Sequence, residues 1–152
     1  MGDRRNPDAT ATRRLLALVV VALSPFALVR SNGVVTAVFP AALVDFDPPG
    51  ATLLTDYLFR YTAGFFGLPP FLQAWPLATL ALAGALASAA VGARWGVEDV
   101  RVTGGLLLLS ALSSLRLVVG ILSRPGQTAV PVAAVVAVVV LWWYYWPLVG
   151  FE

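Results

Sequence analysis

The sequence predicts an all-α fold: an integral membrane bundle of four transmembrane helices, with a short interfacial amphipathic helix between the first and second spans. Three observations carry this. No charged residue occurs between Pro125 and Phe151, and none between Tyr61 and Ala93. Either run exceeds the roughly 20 apolar residues that cross the hydrocarbon core of a bilayer as a helix. The chain is also 59% hydrophobic over only 152 residues, which leaves no room for a sizeable soluble domain beside the spans. A polar tail over 1–12 therefore precedes one membrane domain over 13–152.

The first span covers about 15–29, with Arg14 and Arg30 snorkelling at its two ends and Pro25 kinking it. Thr12-Arg13-Arg14-Leu15-Leu16 resembles a twin-arginine export signal. No small-x-small cleavage site follows and further spans do, so this span reads as an uncleaved helix. Ser31-Asn32-Gly33 is a turn. The apolar stretch 34–44 is too short for another crossing and contains Pro40, which leaves it re-entrant, interfacial or a continuation of span one. Asp45 to Gly50 must be a loop, because paired prolines and a glycine exclude helix.

Over 51–61, Leu54, Leu58 and Tyr61 recur on one helical stripe, while Asp56 and Arg60 pair at i, i+4 on another side. This predicts a helix lying flat at the headgroup boundary within an outer segment, 30–70. Spans two, three and four cover about 71–91, 102–122 and 129–149. Trp75 and the cluster Trp142-Trp143-Tyr144-Tyr145-Trp146 suit the two membrane boundaries.

All ten basic residues are arginine, and cysteine and histidine are absent. That removes disulfides, thiolate and imidazole chemistry, Cys or His metal ligands and Schiff-base lysines. No phosphate-cradling loop, catalytic triad or metal constellation is present, so the chain is expected to be no enzyme and to need no cofactor. The net charge of +2 comes from topology-setting clusters and predicts no nucleic-acid partner. Arg4, Arg5, Arg13, Arg14, Arg94 and Arg101 fall on one side, against Arg30, Arg60 and Arg124 on the other. This bias places both termini in the cytoplasm of a multi-pass plasma-membrane protein.

Arg116 is the one charge inside a span. Arginine at the bilayer centre costs about 2.5–3.5 kcal/mol on the insertion scale, which the leucines and valines of the same helix offset. It lies about 9 Å below the outer helix end, six residues at 1.5 Å each. Arg116 therefore either snorkels outward or forms a structural ion pair with Asp45, Asp47 or Asp56. Span three gathers Ser110, Ser113, Ser114 and Arg116 in one arc, and span two carries Gly84, Ser88 and Gly92 at four-residue spacing. Small and hydroxylated residues so placed let helices approach closely and hydrogen-bond, which predicts helix packing along both faces. Glu98 and Asp99 read as a solvated turn.

Several stretches resemble, in their order along the chain, a family of short, uncharacterised membrane proteins from halophilic archaea. They are Val38-Phe39-Pro40 through Asp47-Pro48, Asp56-Tyr57-Leu58-Phe59 through Gly64, Leu72 through Leu77, Ser123-Arg124-Pro125-Gly126 through Pro131, and Trp142 through Pro147. The resemblance implies a fold and a source and carries no catalytic residue. The functional expectation is a non-enzymatic accessory or assembly subunit of a membrane complex. The alternative is a small channel or transporter acting as an oligomer through the serine and arginine arc. The lipid bilayer is the expected partner, with a membrane protein or a second copy beside it.

Overall fold

Pro25 and Pro131 mark where two helices stop and start. Proline lacks an N–H and pushes the residue before it out of the α region. In the computed structural model, which describes residues 7–149, α1 (Pro7–Leu23) accordingly ends before Pro25, with Ser24 Oγ donating back to the Val20 carbonyl at 2.8 Å. At the other end of the chain, α5 (Val132–Val140) begins directly after Pro131 and continues through a π turn, Leu141–Tyr145, into α6 (Trp146–Val149). Between lie two long helices, α3 (Pro70–Trp95) and α4 (Val100–Leu122).

The four-helix, all-α expectation is overturned by what fills the space between α1 and α3. Residues 27–53 form a meander of four strands, β1 (Ala27–Ser31), β2 (Val34–Val38), β3 (Ala42–Phe46) and β4 (Pro49–Leu53). A fifth, β5 (Gln127–Val130), returns after α4 to pair with β1, so the antiparallel order is β4-β3-β2-β1-β5. The local reasons are visible. Asn32 and Gly33 have φ of 51° and 85°, the conformation of a two-residue hairpin turn whose twist suits antiparallel strands. Val34, Val35 and Thr36 are β-branched, which favours an extended backbone. A cis Asp47–Pro48 bond makes the β3–β4 turn.

Five expected segments change as a result; the loop over Asp45 to Gly50 shrinks to Asp47 and Pro48, because Asp45 and Phe46 pair with Gly50 and Pro49. Residues 27–29 of the first expected span are strand, as are 129–130 of the fourth. The stretch 34–44 is two strands and their turn rather than a re-entrant helix or a continuation of span one. The expected amphipathic helix over 51–61 is reduced to α2 (Leu54–Asp56) followed by a π turn, Tyr57–Tyr61, because Ala51–Leu53 pair with β3. The wider π turn displaces the stripe, so Tyr57 packs on the core and Tyr61 is exposed.

Among the described residues, only α3 and α4, with 26 and 23 residues, are long and apolar enough to cross a membrane by length and composition; Val132–Tyr145 is a shorter apolar helical stretch. α3 and α4 are antiparallel along their whole length. Ser110 Oγ donates to the Ala78 carbonyl at 2.8 Å, Ser88 and Thr103 hydroxyls meet at 2.6 Å, and a Cβ at Gly84 would lie 3.1 Å from Leu106. α1 and α5 touch each other, with α1 against α3 and α5 against α4, which closes a four-helix ring. The sheet lies across the end where α1 and α4 finish and α3 and α5 begin.

The junctions leave few loose backbone groups. Ala133 N–H, at the start of α5, donates to the Pro25 carbonyl at 2.9 Å. The β2–β3 turn docks on α3: Trp75 Nε1 donates to the Phe39 carbonyl at 2.9 Å and Thr79 Oγ1 to the Pro40 carbonyl at 2.6 Å. Leu54 N–H takes the Ala41 carbonyl at 2.8 Å. Each carbonyl of that turn is thereby satisfied without water, as a buried turn requires.

Candidate functional site

Two groupings of side chains merit description, one at each end of the helix ring. At the end away from the sheet, the first turns of α4 and the last turn of α3 are joined by a short loop. Asp99 caps α4, its carboxylate accepting from Arg101 N–H at 3.0 Å. Its neighbour Glu98 points the other way, into the bundle, because Gly92 offers bare backbone there; a Cβ at Gly92 would overlap the Glu98 Cβ.

Arg14 of α1 meets the Glu98 carboxylate at 3.0 Å, with side-chain exposures of 12% and 3%. Tyr145, presented inward by the π turn and 1% exposed, donates to the other carboxylate oxygen at 3.4 Å. The Arg14–Glu98 contact is charge on charge rather than a directed hydrogen bond, since Arg14 Nε and Glu98 Oε2 have no hydrogen-bond partner among the described residues. One carboxylate thus ties α1, the α3–α4 loop and the last helical stretch together. Buried charges of this kind persist only as pairs.

Beneath the sheet lies a cavity of about 250 Å³, open on one side. Its apolar lining includes Trp75, Leu72, Leu117, Ile121, Val38 and Leu43, and Tyr57 stands edge-on to Trp75 with ring centroids 5.4 Å apart. Ser31, Thr36 and Gln127 add polar groups from the inner face of the sheet. Thr36 is committed, donating to Asp45 across the strands at 2.6 Å. Ser31 and Gln127 are register partners on β1 and β5.

A family model described as a domain of unknown function, DUF8050, matches residues 2–150. The chain belongs to this family. No curated protein and no solved structure matches it.

In this DUF8050 chain the residues singled out from sequence are distributed as follows. Gly84, Ser88 and Gly92 face α4 and the loop before it, and Ser110 bonds across the same seam. Ser114 is buried and donates to the Ala111 carbonyl within its own helix at 2.8 Å. Ser113 is half-buried. Arg116 is exposed on α4, and among the described residues no ion pair joins it to Asp45, Asp47 or Asp56. Asp45 instead bonds Thr36.

Two residues were misassigned by sequence reasoning. Arg14 does not snorkel and Glu98 is not a solvated turn residue; they bury each other. Their separation along the chain hides the pairing. Gly92, six residues ahead of Glu98 across a tight connection, was the one signal that could have exposed it.

Proposed function

We propose that this DUF8050 protein is a multi-pass membrane protein with both termini cytoplasmic, acting as a non-enzymatic accessory or assembly subunit of a membrane complex. The observation that carries the membrane placement is the perimeter of the helix ring. Leu16, Val20 and Leu23 on α1, Leu77 and Leu80 on α3, Leu108, Leu112 and Leu115 on α4, and Val135, Val138 and Val139 on α5 are all exposed. Soluble monomers rarely expose apolar surface so continuously.

Apart from Arg116, charges flank this band: Arg13, Arg94 and Arg101 stand at one end, and Arg30, Arg60 and Arg124 at the sheet end. Arg116, exposed near the sheet end of α4, has the reach to snorkel there. At 17 residues α1 spans about 25 Å, short of a hydrocarbon core of about 30 Å. β1, which continues it, is paired on one side by β2 and on the other by β5, so its backbone is satisfied as a membrane-depth segment requires. The order of motifs and the use of arginine in place of lysine support a halophilic archaeal source.

The subunit reading is preferred to a channel because most hydroxyls of the facing α3 and α4 surfaces are engaged inside the chain, leaving Ser113 and Arg116 as the members of the serine and arginine arc without such a bond among the described residues. Ser88, Thr103, Ser110 and Ser114 all have intramolecular partners. What the helix ring offers to other proteins is its exposed apolar perimeter. Two measurements test this. The protein should stay with membranes through alkaline carbonate extraction, and release into the supernatant ends the membrane reading. A native-detergent pull-down with mass spectrometry should then recover membrane subunits in fixed stoichiometry. A homo-oligomer that dissipates an ion gradient in liposomes would replace the subunit with the channel.

A further inference from the structure

We propose that the cavity beneath the sheet binds a single-chain amphiphile with a neutral hydroxyl head, its chain held against Trp75, Leu117, Val38 and Leu43 and its head at Ser31 and Gln127. The strand register sets a polarity gradient along the inner face of the sheet. Nearest the helices, Val38 stands opposite Ala27 and Leu43, and all three are apolar. One row further on, Val29 stands opposite Thr36 and Ala129; at the hairpin end, Ser31 stands opposite Gln127. The cavity therefore runs from an apolar floor to an uncharged polar end.

Neither Ser31 nor Gln127 forms a side-chain hydrogen bond with any described residue, although both are only partly exposed. They are donors and acceptors left over at the end of a lipophilic slot. Among the described residues no charged side chain lines the space; the carboxylate beside it, Asp45, is occupied by Thr36. A charged head would enter without a counter-ion and lose its hydration, whereas a hydroxyl can both donate to and accept from Gln127 and Ser31. Apolar cavities of about 150 Å³ already hold a benzene ring and stay dry. About 250 Å³ suits a short chain.

The proposal relies on the membrane reading for its supply of amphiphile, yet the two fail separately, since carbonate extraction decides one and ligand contact the other. Trp75 supplies the readout, because Trp95, Trp142, Trp143 and Trp146 lie at the opposite end of the ring. The full chain and its Trp75→Phe variant, in nanodiscs of saturated phosphatidylcholine, are titrated with 8-bromo-1-octanol, whose bromine quenches indole on contact.

The difference between the two proteins should show saturable quenching, and Ile121→Phe, which fills the cavity, should abolish it. The double variant Ser31→Ala/Gln127→Leu, away from the core, should weaken the alcohol by about five- to tenfold while leaving 1-bromooctane unchanged, the loss expected for one or two neutral hydrogen bonds. Quenching that rises linearly and equally in Ile121→Phe overturns the proposal. So does a double variant that binds alcohol and alkane as the parent does. Complete quenching of Trp75 in discs of chain-brominated phospholipid, before alcohol is added, overturns it in favour of a bilayer lipid chain.

Discussion

At the scale of single residues, Glu98 holds three parts of the fold through one carboxylate. Its carboxylate is 3% exposed and faces one cation, Arg14. Removing either partner strands the other charge in a low-dielectric site, which costs about 3–5 kcal/mol where it has been measured. Glu98→Gln is therefore expected to lower stability by about 3 kcal/mol, read as the unfolding midpoint in detergent. Arg14→Met combined with Glu98→Gln should recover most of that loss, since no unpaired charge remains and Tyr145 keeps an acceptor. A double variant no more stable than the single one would show that the two charges are not coupled. Beyond the bare backbone at Gly92, nothing in the sequence announced this pair. Arg14 looks like any basic flank of an apolar run and Glu98 like half of an acidic turn; their meeting is a product of the ring of helices.

At the scale of elements, glycine positions in α4 separate packing from propensity. A Cβ at Gly120 would overlap the Cβ and ring of Phe71, so the sheet end of α4 approaches α3 on bare backbone. Gly105, in the same helix, faces open space. Gly120→Ala should cost about 1–3 kcal/mol by forcing the helices apart, whereas Gly105→Ala should add about 0.5–1 kcal/mol through helix propensity. Equal effects at the two sites would mean that the close approach does not exist in solution. Gly33, at φ of 85°, is the corresponding position in the sheet. Gly33→Val is expected to cost at least 1 kcal/mol by straining the β1–β2 turn, seen as faster amide exchange in both strands.

The helices were readable because α3 and α4 are long uninterrupted apolar runs. The strands were not, because a short apolar run such as 34–44 has no period that separates buried strand from helix. The information that could have decided it lay in Asn32-Gly33 between two β-branched segments. The cavity was beyond reach for a different reason: β5 joins β1 only after both long helices, α3 and α4, have intervened, and nothing local announces that partner.

At the scale of the whole molecule, the absence of cysteine makes the membrane placement directly measurable. Single cysteines at Leu112 and Val138, exposed on the lipid-facing perimeter, should resist a membrane-impermeant maleimide in intact cells and after lysis. Gly50→Cys, in the exposed edge strand, should react in intact cells, and Gly96→Cys only once the cells are opened. Reaction at Leu112 or Val138 in intact cells would remove the bilayer from around the ring. Reaction at Gly96 before Gly50 would invert the orientation.

The β1–β5 pairing has a consequence for biogenesis. During translation the meander emerges early, yet its β1 edge has no neighbour until the ribosome has delivered both long helices and the strand beyond them. For that interval the nascent chain carries an unprotected strand, ready to join a wrong partner or another copy. Delivery of β5, just ahead of the last helix, is thus the act that closes the sheet, and a truncation before Gln127 should yield a species prone to clumping rather than a smaller working protein.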